Sequence, residues 1–454
     1  MLNLDKSTPL VAVVAALLGT DCRTESNTSQ ASQSISSAPG LPVRTCYVAE
    51  SFGATANDDT DDRASLQAAI EAAESTAGCV ELEAGTYLVS RREGLGAKNI
   101  ASLQISSTIS LAGQGASRTV LAMHGSGATT AWQLLSISGD NVTVSDVKLS
   151  GVAAVNEQTH LVQINGPATK ISIVDVDMAM ARSGGGDCIR LLGSVNAWVD
   201  GVTIDRVRGL ACDRSFVGFQ RAIKHVTISN SESVVVGGQS IDLEPTGGKA
   251  FACSPIISDI LITDSILRRG ADARGLTVSI GGDGCALASR LMIRSSVVED
   301  GGINIVDASE ITLLGLDISD RRGPALHVRK RADRILVVGG SITKSAATEG
   351  PAVHVHSQNG LSPNDLTLIG VTVNQEGQAP AILVEDTVAL NLISSKVKYA
   401  GLVAVKARGV ERKVGLPVIV DTSFYGPLGT TRASVVGVGA AGMPLEVRVT
   451  GPGP

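Results

Sequence analysis

Along most of this chain, apolar residues come in pairs that flank a single other residue, and the pairs recur at near-regular intervals. One series reads Val142-Thr-Val144, Ile171-Ser-Ile173, Val202-Thr-Ile204, Val226-Thr-Ile228 and Ile260-Leu-Ile262. It continues as Leu291-Met-Ile293, Ile311-Thr-Leu313, Ile335-Leu-Val337, Leu366-Thr-Leu368 and Leu390-Asn-Leu392, in steps of 20 to 34 residues. Alternation of this kind marks a short strand with one face buried, and no long 3.6-residue pattern accompanies it. A repeat of that length built from strands predicts a solenoid, in which each turn stacks about 4.8 Å above the last.

A second series precedes the first within each repeat: Leu135-Ser-Ile137, Val162-Gln-Ile164, Ile189-Arg-Leu191, Ile241-Asp-Leu243 and Leu276-Thr-Val278. It goes on as Ile303-Asn-Ile305, Leu326-His-Val328, Val353-His-Val355, Ile382-Leu-Val384 and Val403-Ala-Val405, with an unclear turn near Phe216. Side chains alternate faces along a strand, so the aliphatic flanks point inward and the middle residue outward. Down the column this predicts Ser136, Gln163, Arg190, Asp242, Thr277, Asn304, His327 and His354 on one wall, then Leu383 and Ala404. The middle residues of the first series are mostly Thr, Ser or Leu, so the ionisable groups concentrate on the second.

Composition narrows the function. Of 454 residues 43% are hydrophobic, enough for a packed core, and the 50 glycines suit many tight turns. The net charge of −6 argues against a nucleic-acid partner, and 2% aromatics leave few rings for stacking sugars. Lys6 followed by an apolar run from Leu10 to Leu18 reads as a secretory signal over residues 1–22, too short to span a bilayer. Cys22 offers a lipoprotein alternative, although Thr20 and Asp21 precede it where small residues are expected. Without Cys22 six cysteines remain, an even number suited to an oxidising compartment, with Cys253 and Cys285 the favoured pair.

The remaining organisation is a Ser/Thr-rich linker over residues 23–43, a cap over 44–90 and the solenoid over 91–450. In the cap, Asp61 or Asp62 heads a helix with Leu66, Ile70 and Ala73 on one face, followed by strands at Cys79–Leu82 and Thr86–Val89. The cap motifs are Phe52-Gly-Ala54, Asp58-Asp-Thr-Asp-Asp62, Leu66-Gln-Ala-Ala-Ile70, Gly78-Cys-Val80 and Gly85-Thr-Tyr87. Together they resemble the opening segment of the pectate-lyase-like superfamily, which includes polygalacturonase-like enzymes and phage tailspikes. The resemblance implies an all-β fold, a right-handed parallel β-helix with a helix-containing cap, acting on polysaccharides. It does not choose among hydrolase, lyase, epimerase and adhesin.

Asp242 and Glu244 are the sharpest chemical feature. Two residues apart on one strand, they share a face at about 6.6–7 Å between α-carbons. Such a pair can divide acid and base roles, and carboxyls roughly 6.5–9.5 Å apart leave room for a water and imply inversion. Asp187, in Gly186-Asp-Cys-Ile189, resembles the second Asp of the polygalacturonase Asp-Asp-Cys motif, with Gly186 in place of the first. It is a third catalytic candidate, about 10 Å from Asp242 along the axis. The family's Asn-Thr-Asp, Gly-His-Gly and Arg-Ile-Lys signatures are missing, as is the tyrosine–histidine signature of alginate epimerases. Arg190, Thr277, Asn304, His327, Arg329, His354 and His356 are expected to bind substrate. Three histidines are enough for zinc, but Arg329 in the same register, with Lys330 beside it, argues against a cation. No metal or cofactor is therefore expected. Arg268, Arg269, Arg274, Arg321 and Arg322 suggest a basic rim suited to a uronate. The leading expectation is a secreted or cell-surface polysaccharide hydrolase. The alternatives are a uronate lyase or epimerase, or a glycan-binding surface protein.

Overall fold

In the computed structural model the described residues are 45–92, 100–125, 132–152, 159–179, 185–245, 255–270, 276–281, 287–385, 390–401, 403–408, 418–426, 435–438 and 449–450. Three parallel sheets wind around one axis. Sheet 1 has 15 strands and holds the first apolar series; sheets 2 and 3 have 13 strands each. Sheet 2 holds the second series and sheet 3 a third, such as Lys148–Ser150, Asp177–Ala179 and Asp317–Asp320. Every ladder between the named strands is parallel and joins consecutive turns, as in Val202↔Val226↔Ile260↔Leu291. The result is a parallel β-helix.

The core is a stack of aliphatic columns. Ile173, Ile204, Ile228, Ile262, Ile293 and Leu313 are all fully buried on sheet 1. The corner between sheets 1 and 3 turns on one left-handed residue per rung: Asp146, Asp175, Asn230, Asp264, then Gly315 and Gly370. Asp, Asn and Gly tolerate that conformation best, which is why the corner reads as a polar or glycine break after each apolar pair. Arg206 and Ser295 take it as well.

The cap forms as expected, with the helix at Arg63–Thr76 burying Leu66, Ile70 and Ala73. The aspartates before it do other work. Asp62 makes no side-chain bond to the helix; it accepts from the backbone N–H of Thr55 (2.7 Å) and Leu88 (3.0 Å), joining the start of the cap to its last strand, Gly85–Ser90. Asp61 accepts from the N–H of Arg63 (3.2 Å) and of Ser90 (2.8 Å). Disulfides join Cys46 to Cys79 and Cys188 to Cys212. The proposed Cys253–Cys285 pair, the signal segment, Cys22 and the linker lie outside the described residues.

Two registers on sheet 2 differ from the sequence reading. Ser279, not Thr277, stacks on Asp242, because the strand is Val278–Ile280. Both Leu276-Thr-Val278 and Val278-Ser-Ile280 fit an apolar–other–apolar pattern, and the ladder to Ile241 and Leu243 selects the second. Thr277 is buried at the corner and donates its hydroxyl to the Glu299 carbonyl (2.7 Å). At the far end Lys406, not Ala404, continues the column, and Ala404 is core. The unclear rung is Val217–Gln220, whose outward residue is Gly218 between Arg190 and Asp242.

Candidate functional site

Two columns of outward side chains run down sheet 2. The first is Gln163, Arg190, Gly218, Asp242, Ser279, Asn304, His327, His354. The second, two residues later on each strand, carries Gln220 next to Glu244, and further along Arg329, His356 and Glu385. Two clusters form on them.

The first cluster centres on Asp242, which faces outward yet is only 5% exposed. Burial pushes its carboxyl up to about 7, and the adjacent Glu244 charge and a hydrogen bond to Glu244 push the same way, against Arg214. Asp242 therefore keeps its proton to higher pH than an ordinary carboxyl does. Glu244 is the open member, its side chain 35% exposed. Gln220 Nε2 donates to Glu244 Oε2 (2.8 Å), and Arg214 Nη1 lies 3.6 Å from the same oxygen.

Behind this pair Asp187 is completely buried, and Arg214 Nε and Nη2 donate to its two oxygens (2.8 and 2.9 Å). Burial pushes the Asp187 carboxyl up, and the guanidinium fork opposes it. Burial works against the Arg214 charge, but Asp187, Glu244 and Asp242 hold its pKa above the ordinary value. Asp187 therefore reaches the Asp242–Glu244 pair through Arg214, and with both oxygens occupied it is a positioning group rather than one that meets substrate. Gly218 leaves little spare room here: a β-carbon would stand 3.3 Å from the Asp187 carboxyl and 3.4 Å from Arg214 Nη2.

Arg190 is also committed internally. Its Nε and Nη2 donate to Gln220 Oε1 (3.2 and 2.5 Å), and Nη1 lies 3.0 Å from His160 Nε2. His160 Nδ1 accepts from the backbone N–H of Asp187 (3.1 Å) and lies 3.4 Å from Asp187 Oδ2. Burial, then the Arg190 and Arg214 charges, hold His160 well below its usual range, hence neutral. A chain of contacts thus runs from His160 through Arg190 and Gln220 to Glu244.

The second cluster is three rungs along, about 14 Å from Asp242. The rings of His327, His354 and His356 lie 4.5–5.2 Å apart. Burial, then the neighbouring imidazoles and Arg329, hold His327 at about 3. Arg329 turns to Asn304 Oδ1 and Gln358 Oε1, both at 3.2 Å. Asn304 is therefore bound to Arg329 and is itself nearly buried. The expected basic rim is largely neutralised: Arg268 pairs with Glu232 and Glu299 on sheet 3, Arg321 with Asp300, and Arg269 is buried. Arg322 uses its backbone N–H on Asp320, and Arg274 is outside the described residues. Lys330 turns to Asp307.

The sequence reading missed His160, Arg214, Gln220 and Glu385. Gln220 and Glu385 were findable as the second outward position of their strands; His160 and Arg214 lie outside the apolar–other–apolar triplets.

Residues 48–236 match the family model described as rhamnogalacturonase A/epimerase, pectate lyase-like. Over that segment the chain is similar to this family, and its fold is a parallel β-helix. The matched segment holds Asp187, Arg190, Arg214 and Gln220 and ends before Asp242. Among solved structures, the β-helix is similar to the A-module of the mannuronan C-5 epimerase AlgE4 of Azotobacter vinelandii. That match has 16% identity and TM-score 0.52, and covers 86% of this chain and 99% of that one. It is also similar to a double-mutant tailspike protein of E. coli bacteriophage HK620, solved with a pentasaccharide. There the identity is 12% and the TM-score 0.52, over 86% of this chain and 80% of that one. No curated protein matches the chain. Among the described residues no helix is long and apolar enough to cross a membrane.

Proposed function

We propose that this β-helix is a secreted enzyme that hydrolyses a polysaccharide on sheet 2, with Asp242 as proton donor and Glu244 as its solvent-open partner. The observation that carries the reading is a nearly buried carboxyl, pushed up by burial and by the adjacent Glu244 charge, beside a second carboxyl that is open to solvent. A glycosidic oxygen that displaces the hydrogen bond to Glu244 takes the Asp242 proton as its bond to the anomeric carbon breaks. Water adds to that carbon and gives its proton to Glu244. The proton then returns to Asp242 across the re-formed hydrogen bond, which resets the pair.

Arg190, Gln220 and the Asp187–Arg214 fork hold Glu244 in place. The family match and the saccharide-linked structural neighbours favour a polysaccharide substrate, and two disulfides suit an oxidising, extracellular setting. A uronate-bearing chain is the anionic version of this substrate.

Incubation with a panel of polysaccharides tests the reading: wild type releases new reducing ends, and Asp242→Asn and Glu244→Gln do not. Full activity in either variant refutes the assignment.

A further inference from the structure

We propose that His327, His354 and His356 form a binding site for one divalent transition-metal ion of the zinc class, with Glu385 as the carboxylate that orients it. The cluster is assembled by register. His327 and His354 are paired neighbours on adjacent strands, and His356 is two residues beyond His354 on the same face. Glu385 pairs with His356 on the next strand.

One ring nitrogen from each histidine lies within 4.8 Å of one from each of the others. The tightest pair, His327 Nε2 and His356 Nδ1, is 3.2 Å apart. Two nitrogens bound at about 2.0–2.1 Å to one tetrahedral ion are separated by about 3.3 Å, so this pair already has the spacing of shared coordination. His354 supplies the third nitrogen, within 4.8 Å of the other two. His354 Nε2 is 2.8 Å from Glu385 Oε2, the imidazole–carboxylate contact that fixes ring orientation and tautomer in metal-ligating histidines.

All three histidines are half-buried, so the site is reachable from solvent, and three protein ligands leave a fourth position for water. An all-nitrogen donor set selects zinc-class ions over calcium or magnesium, which take oxygen ligands. Arg329, the charge that argued against a metal in the sequence, spends Nε and Nη1 on Asn304 and Gln358, and Glu385 brings a compensating negative charge. The site stands three rungs from Asp242, and its existence does not depend on the hydrolase reading.

The test uses the full chain without an affinity tag, stripped with chelator. Zn2+ is titrated by calorimetry, and Co2+ by visible absorption, which reports ligand type and coordination number. Wild type takes up one ion per chain, and Co2+ shows the intense bands of a four- or five-coordinate nitrogen site. His327→Ala and His356→Ala weaken binding at least a hundredfold. Glu385→Gln weakens it about tenfold, as loss of an orienting partner does. His225→Ala, on sheet 1, leaves it unchanged. A wild-type chain that binds neither ion overturns the proposal whatever the variants do. Unchanged Zn2+ affinity in a His327→Ala chain with native circular dichroism does the same.

Discussion

Replacing Asp242 by Asn should remove activity and at the same time stabilise the protein, by an amount that depends on pH. The carboxyl titrates at about 7 in the folded chain against an ordinary 3.8. Each unit is worth about 1.4 kcal/mol, so holding this group ionised costs about 4 kcal/mol. The sign follows from proton binding. Below about pH 4 the group is protonated in both states and contributes no pH dependence. Between about 4 and 7 the folded chain keeps a proton that the unfolded chain releases, so stability falls as pH rises. Above about 7 both states are ionised and the loss is complete. Asparagine is neutral throughout, nearly the same shape, and can still donate to Glu244. Urea denaturation followed by far-ultraviolet circular dichroism, for both proteins at pH 4 and pH 8, isolates the effect. Titrations of groups that do not sense the Asp242 charge cancel in the difference between the two proteins. The Asn variant should gain about 4 kcal/mol relative to wild type on going from pH 4 to pH 8. A difference that does not change with pH, or an Asn variant less stable than wild type at pH 8, refutes the buried, protonated carboxyl.

The same titration predicts that kcat/KM declines tenfold per pH unit above about 7, read from a pH–rate profile, because the proton donor is then lost. Arg214→Ala leaves Asp187 as an unpaired buried carboxylate and should cost about 3–5 kcal/mol at pH 7 by denaturation, with Asp187→Asn recovering part of it. Gly218→Val drives a side chain into the Asp187–Arg214 pair and should abolish reducing-end release while the circular dichroism stays native. Cys212→Ser opens the disulfide to Cys188, which joins residues 24 apart, and should cost about 3 kcal/mol, measured against wild type without reductant.

The fold was legible because one physical requirement repeats: every rung must bury two aliphatic residues and turn the one between them outward. That rule located sheets 1 and 2 and the wall carrying Asp242, His327 and His354. It failed where two overlapping triplets satisfied it, as at Thr277 and Ala404, since only the ladder to the neighbouring rung selects between them. Sheet 3 escaped because its strands are short and follow a single left-handed corner residue, so Leu149 or Ile318 stands alone rather than in a pair. The site was legible only in part. Asp242 and Glu244 announce themselves by spacing, but the raised Asp242 carboxyl depends on burial that no spacing encodes. Arg190 looked free for substrate because a guanidinium on an outward position is usually solvated. His160 and Gln220 claim it instead, and neither proximity is visible along the chain. Arg214 sits on a loop, where side-chain direction is set by the partner it finds.

Cleavage in water enriched in heavy oxygen, with products read by mass spectrometry, tests the central claim most directly. Hydrolysis by the Asp242–Glu244 pair predicts saturated fragments that carry heavy oxygen at the new reducing end from wild type, and none from Glu244→Gln. Unsaturated fragments without the label, or labelled fragments from Glu244→Gln as abundant as from wild type, would contradict it.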